Sequence, residues 1–125
     1  LNFFVSGLYL KAIKEASLHN GPSLIIAYSP CIEHGIKTGM QHSQSNGYLA
    51  TKCGYFLTFR YNPDTKKFSL DSKEPEFDKY EDYLMTENRF ASLVRKDKER
   101  ARLLLEEQKQ WAIDRYNYYK KISEE

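Results

Sequence analysis

The sequence is poor in several residue types whose abundance would fix its class. Its 125 residues include two cysteines, four prolines and one tryptophan, and its formal net charge is only +2. Two cysteines are too few for a disulfide scaffold, so a reducing compartment is predicted. The small net charge argues against general attraction to nucleic acid. No apolar run approaches the roughly 20 residues of a membrane span, and no signal peptide is predicted at the first residues.

Familiar nucleotide-binding and metalloprotease motifs are also missing. The sequence has no Walker loop, no Gly-x-Gly-x-x-Gly fingerprint and no His-Glu-x-x-His helix. It does have 29% charged and 41% hydrophobic residues, with ten tyrosines and seven phenylalanines. This balance predicts one soluble, folded domain, and the aromatic rings are suited to its core or to a partner surface.

The chain is organised around residues 21–35. Residues 23–28 form a short apolar run without alternation, which predicts a strand covered on both faces, as in a parallel sheet. Pro30 cannot donate to a central ladder, so the strand is predicted to end before it. Cys31 then follows at the carboxyl end of the strand, which is where open α/β folds bind their ligands.

The chemistry of Cys31 is left open by its spacing. A lone cysteine is most often a small buried hydrophobe, and spacing alone favours that interpretation. Cys31 and His34 have the spacing of half a zinc site, but the second half is missing. The same pair is conceivable as a nucleophile and its base. A thiolate ligand to an iron–sulfur cluster is a further option, because cluster cysteines can come from distant parts of a chain.

The remaining pattern predicts an α/β chain with a helical C-terminal extension. It indicates a helix stopped by Asn20-Gly21, a loop leading into a second helix, a β-hairpin with its turn at Asn62-Pro63-Asp64, and two further helices, the last capped by Asp97. The corresponding ranges are 3–19, 35–47 leading to a helix that ends near 53, 55–70, 80–94 and 97–122. A helix followed by a single strand cannot make a covered parallel sheet, so the chain is predicted to be the carboxyl-terminal piece of a larger protein.

Five blocks in order resemble the carboxyl-terminal region of pyruvate:ferredoxin (flavodoxin) oxidoreductase. They extend over nearly the whole chain, which makes them more specific than any single motif. The blocks are GPSLIIAYSPCIEHG at 21–35, CGY at 53–55, FRYNP at 59–63, LDSKEP at 70–75 and ENRFASL at 87–93. The resemblance implies that residues 1–71 are the end of a thiamine-diphosphate-binding parallel-sheet domain with an edge hairpin, and that residues 72–125 are a helical extension.

The resemblance also implies a function. That enzyme cleaves pyruvate with thiamine diphosphate and Mg²⁺, forms acetyl-CoA from coenzyme A, and passes electrons through [4Fe–4S] clusters to ferredoxin or flavodoxin. It is a homodimer of the cytoplasm or of a reducing anaerobic organelle. Cys31 corresponds to the isolated cysteine that supplies the last ligand to the cluster nearest thiamine. Cys53 is interpreted as a core thiol, and His34, Gly35 and the loop at 36–47 are expected to line the cleft.

The resemblance implies that parts of the active enzyme lie outside this chain. Two other hypotheses about its function stay open. The motif for diphosphate and magnesium and the remaining cluster cysteines are expected upstream, so the chain alone is predicted to be inactive. A fusion to an NADP-dependent flavoprotein reductase is equally compatible. The main alternative is a stand-alone binding or dimerisation module that uses the helical stripe at 97–122. The other is a small acyl-transfer enzyme that uses Cys31.

Overall fold

The computed structural model describes residues 3–31, 33 and 35–125. These residues form an α/β structure that is mostly helical. Its elements are α1 (Phe3–Leu18), α2 (Ser43–Lys52), β1 (Phe59–Asn62), β2 (Lys67–Leu70), α3 (Tyr80–Met85), α4 (Asn88–Lys96) and α5 (Lys98–Glu124), with short 3₁₀ turns at Met40–His42 and Phe77–Lys79. Within the described residues, no helix combines the length and apolar composition that a membrane span needs.

The predicted first and last helices are confirmed. Helix α1 ends at Leu18, just before the Asn20-Gly21 pair that was expected to stop it. Helix α5 begins after Asp97, whose side chain accepts a hydrogen bond of 3.0 Å from the backbone N–H of Arg100. That bond satisfies one of the free donors at the helix start, which is the role of an N-cap residue.

The predicted β-hairpin is also confirmed, although its strands are short. Strands β1 and β2 are antiparallel, and Phe59 pairs with Leu70. In the turn, the Asn62 side chain accepts a hydrogen bond of 2.9 Å from the backbone N–H of Asp64. Phe59 and Phe68 stack at 5.2 Å, and both rings contact Tyr119 of α5. The hairpin is therefore held against the carboxyl-terminal helix by aromatic packing.

The strand predicted at residues 23–28 is wrong for this chain. The segment has no regular secondary structure, and the one sheet among the described residues is the β1–β2 hairpin. Leu24 is 85% exposed and Ile26 is 70% exposed, so the predicted cover on both faces is absent as well. A strand forms only when a neighbour pairs with its backbone, and none of the described residues does so here.

The single helix predicted at 80–94 is two helices. The backbone of Glu87 is extended, with φ −101° and ψ 131°, and forms an isolated antiparallel bridge with Ile36. An extended residue cannot continue the helical hydrogen bonding. The break therefore separates α3 from α4 and places Glu87 at their junction.

The hydrophobic core lies among α2, α3 and α5. Its fully buried members include Cys53 and Tyr83, and partly buried aromatic rings from the rest of the chain surround them. The cluster consists of Ala50, Cys53, Tyr80, Tyr83, Leu84 and Ala112. It takes residues from both sides of the boundary predicted at 71/72. The α3–α4 junction thus rests directly on the core.

Candidate functional site

The segment that leads to Cys31 is fixed by Tyr28. The Tyr28 ring stacks on Phe56 with centroids 5.4 Å apart and meets the edge of Tyr55 at 5.8 Å. Its backbone carbonyl accepts a hydrogen bond of 3.4 Å from the hydroxyl of Tyr9 on α1. Pro30, two residues later, is buried. The chain before Cys31 is therefore held on the core although residues 24–27 are exposed.

The Tyr28 hydroxyl contacts the buried carboxylate of Glu87. Glu87 has no exposed surface, and its Oε1 accepts hydrogen bonds of 3.0 Å from the Tyr83 hydroxyl and 3.3 Å from the Tyr28 hydroxyl. The two hydroxyls also hydrogen-bond to each other. The other oxygen, Oε2, accepts a bond of 2.6 Å from Nε of Arg89. Each carboxylate oxygen thus has a partner, as a buried charge requires.

The two tyrosines are donors over the whole physiological pH range. Burial raises the pKa of Tyr28 to about 12. Burial and the hydrogen bond with Tyr28 raise the pKa of Tyr83 well above its ordinary value. Because ionisation would place a second negative charge beside Glu87, both hydroxyls keep their protons. Two protons serve three contacts, so at least one hydroxyl donates to the carboxylate and the other donates either to it or to its neighbouring hydroxyl.

The chain that follows Cys31 is fixed at the same junction. The backbone N–H of Asn88 donates to the carbonyl of Gly35 at 2.8 Å, and the N–H of Lys37 donates to the carbonyl of Thr86 at 3.0 Å. Gly35 has a φ of +64°, and a Cβ there would lie 2.7 Å from the side-chain nitrogen Nδ2 of Asn88. Only glycine combines this conformation with so close an approach.

Cys31 therefore lies between two fixed flanks. Residues 28–30 are held by the Tyr28 network and residues 35–37 by the backbone of residues 86–88, and both sets of contacts meet at Glu87. Cys31 itself is a free, exposed thiol, so the expectation of a buried hydrophobe is wrong for this residue. His34, predicted to line the cleft, lies outside the described residues. Gly35 is at the junction.

The second cysteine is a core thiol, as predicted. Cys53 has no exposed surface, and its Sγ donates to the carbonyl of Ala50 at 3.5 Å. Burial raises the pKa of Cys53 to about 11, so its reactive thiolate form is scarce at neutral pH.

A difference in reactivity between the two thiols follows from their burial. In the isolated chain at pH 8, we expect one thiol to react quickly with iodoacetamide and the second to react only after denaturation. Peptide mapping by mass spectrometry should place the fast label on Cys31. Fast labelling of Cys53 in the folded chain would contradict the buried position of its sulfur.

The described residues can hold at most part of a metal centre. They contain no group of three or more His, Cys, Asp or Glu side chains placed to hold a metal ion. A [4Fe–4S] cluster takes four cysteine thiolates, and Cys53 is committed to the core. Among the described residues, Cys31 is the one accessible thiol, so this part of the chain could supply one of the four thiolates that such a cluster takes.

A concave surface lies between the hairpin on one side and α1 with residues 22–30 on the other. It has a volume of about 1530 Å³, and Ser43, Gln44 and Gly47 from the predicted cleft-lining region contribute to its wall. At its edge, Arg60 donates two hydrogen bonds of 2.7 Å to Asp71 and also bonds Glu15 of α1. Arg60 is thus engaged in bracing the hairpin.

Comparison with known proteins gives the family context. No family model matches the chain. It is 41% identical over 119 residues to a pyruvate-flavodoxin oxidoreductase of Enterobacter agglomerans, and 41% identical over 120 residues to a pyruvate:ferredoxin oxidoreductase of Moorella thermoacetica; these alignments include 91% and 92% of the chain. The chain resembles a segment of these pyruvate oxidoreductases. The resemblance inferred from the five sequence blocks is thereby confirmed.

The alignments include only a small part of each pyruvate oxidoreductase. The chain spans about a tenth of the length of these two relatives, 10% in each case. A pyruvate dehydrogenase [NADP(+)] of Euglena gracilis is also similar, with 33% identity over 120 residues that make up 7% of its length.

The sequence singled out Cys31 as a candidate but not the residues that hold its flanks. Glu87 was one of many charges in a predicted helix, and Tyr28 and Tyr83 were two of ten tyrosines. No local pattern marks a glutamate as buried. The nearest signal was Glu87-Asn88-Arg89, which lies in a block that resembles the oxidoreductases. The block marked these positions as candidates but did not indicate their role.

Proposed function

We propose that this chain is part of a pyruvate oxidoreductase that converts pyruvate to acetyl-CoA and transfers the electrons to ferredoxin or flavodoxin. The observation that carries the proposal is the 41% identity to such enzymes over 91% of the chain. The comparisons do not favour a stand-alone binding module, because the similar proteins named here are much longer oxidoreductases.

Within that enzyme, Cys31 is the residue of this chain that ligates a [4Fe–4S] cluster. Its exposed thiol and its two fixed flanks support this role, because a metal ligand must be accessible and must be held in one place. The cluster, when bound, accepts and passes on single electrons. The contribution of this chain is to present one sulfur and to limit its movement.

The exposed apolar segment at residues 22–27 suits the same proposal. Leu24 and Ile26 would be covered if neighbouring strands from the remainder of the enzyme paired with this segment, completing the parallel sheet of a thiamine-diphosphate-binding domain. Thiamine diphosphate, Mg²⁺, coenzyme A and pyruvate would be bound by residues outside this chain, and the whole enzyme would act as a homodimer. Pyruvate-dependent reduction of ferredoxin or flavodoxin by the full-length protein tests the activity.

An isolated chain is expected to hold no stable cluster, because it offers one of four thiolates. After anaerobic reconstitution with iron and sulfide and removal of excess reagent, we expect background iron by colorimetric assay and no visible absorption from a cluster. The full-length protein, treated identically, is the positive control. A brown monomeric chain with stoichiometric iron and sulfide would show that the ligand assignment is wrong.

A further inference from the structure

Glu87 differs from the other charged residues of the described chain. Among these residues, it is the one charged side chain that is fully buried. Burying a carboxylate is costly unless hydrogen bonds and a counter-charge replace its water. Glu87 has both, from two tyrosine hydroxyls and from Arg89. Such a site needs a reason beyond stability, because an apolar residue of similar size is often no less stable at a buried position.

The reason suggested by the geometry is that Glu87 joins the two flanks of Cys31. Its side chain holds the Tyr28 hydroxyl before Cys31. After Cys31, Ile36 pairs with Glu87, and the backbone hydrogen bonds of this bridge come from the neighbours Thr86 and Asn88. Whichever way the hydroxyl protons point, the chain of hydrogen bonds from Tyr28 through Tyr83 ends on this carboxylate.

The short distances along the chain make this arrangement restrictive. Cys31 lies three positions after Tyr28, and a fully extended chain spans at most about 3.6 Å per position. The Cα of Cys31 therefore stays within roughly 11 Å of the Cα of Tyr28. Gly35, four positions after Cys31, limits the distance from the other side in the same way. The Cα of Cys31 must therefore lie within reach of both fixed residues.

We propose that Glu87 is a positioning residue for Cys31. The proposal rests on the proposed function of Cys31 as a cluster ligand. Glu87 touches neither the sulfur nor the cluster. Its side chain fixes Tyr28 at the same junction where the backbones of Thr86 and Asn88 hold the chain after Cys31, so that Cys31 is presented to the cluster in one geometry. Supporting residues of this kind change metal affinity when they are replaced, even though they make no bond to the metal.

The test uses Glu87→Gln in the full-length oxidoreductase. Glutamine keeps the shape, but in either orientation its NH2 group puts a donor where one carboxylate oxygen accepted, and the charge that faces Arg89 and the hydroxyls is lost. We expect the cluster that Cys31 ligates to lose iron to a chelator roughly 10-fold faster, with an altered electron paramagnetic resonance signal of that cluster. An unchanged signal and an unchanged rate of iron loss would overturn the proposal.

Three further variants separate the possible explanations. Ala101→Gly weakens α5 by about 1 kcal/mol away from the flanks, and it should leave the signal and the iron-loss rate unchanged. Tyr28→Phe removes one hydroxyl and keeps the ring contacts. It should move both readouts in the same direction as Glu87→Gln, and wild-type behaviour of this variant would overturn the proposal even if Glu87→Gln did not fold.

Cys31→Ala distinguishes the two proposals. If Cys31→Ala keeps its full iron content and spectrum, the cluster-ligand role is wrong and the positioning role falls with it. If Cys31→Ala loses the cluster while Glu87→Gln behaves as wild type, only the positioning role is wrong.

Discussion

Replacement of Cys31 by alanine in the full-length enzyme is expected to remove one whole cluster, about four iron atoms per protomer. Under the proposed function, no other thiol of this chain can replace Cys31 as a ligand, because Cys53 is buried in the core. With the cluster lost, reduction of ferredoxin or flavodoxin by pyruvate should fall to background. Iron and sulfide analysis, together with the reduced electron paramagnetic resonance spectrum, measures the loss.

Cys53→Ala is the matched control for Cys31→Ala. It removes a thiol of the same chain that contacts only the core, so iron content and electron transfer should stay at the wild-type level. Equal loss of iron in both variants would indicate general damage to the fold. Normal iron content in Cys31→Ala would contradict the assignment of Cys31 directly.

Replacement of Tyr83 by alanine is expected to cost about 3–5 kcal/mol of local stability. The Tyr83 ring is fully buried, lies 4.8 Å from the Tyr55 ring, and carries a hydroxyl that donates to Glu87. Alanine would leave a cavity and would take one donor from a buried carboxylate. Native-state hydrogen exchange of the α3 and α4 amides in the full-length protein measures the free energy of opening.

Two companion variants divide this cost. Tyr83→Phe keeps the ring and should cost about 1–3 kcal/mol, which is the penalty for leaving buried polar groups short of a partner. Tyr118→Ala removes an exposed ring from α5 and should change the opening free energy by less than about 0.5 kcal/mol. A Tyr83→Ala protein whose α3 amides exchange like those of Tyr118→Ala would contradict the position of Tyr83 in the core.

The elements that local signals specify were predicted well. The Asn20-Gly21 stop, the Asn62-Pro63-Asp64 turn and the Asp97 cap each act within a few residues of themselves. Their structural effects could therefore be inferred from the sequence. The helix that ends near Cys53 was also predicted, but it begins at Ser43, within the predicted loop.

The features that depend on distant residues could not be predicted in the same way. The apolar run at 23–28 has the composition of a strand, but pairing needs a neighbour, and none of the described residues provides one. At the break between α3 and α4, Glu87 pairs with Ile36, which lies some 50 residues earlier. The helical periodicity of the sequence continues through residues 86–88, so the pattern did not indicate the break.

The site shows the same division between local and long-range information. Cys31 was singled out because of its place after Pro30 and because of the resemblance to the oxidoreductases. Glu87, Tyr28 and Tyr83 come together only in the fold, across sequence separations of up to 59 residues. The sequence therefore indicated which sulfur to consider, while the structure was needed to show how its flanks are held.

The most direct test of the account is a structure of the full-length protein with its clusters, determined under anaerobic conditions. We expect continuous density from Sγ of Cys31 to an iron atom of a [4Fe–4S] cluster, with the other three cysteines contributed from outside this chain. A cluster whose four ligands all come from elsewhere, with Cys31 left as a free thiol, would contradict the central claim.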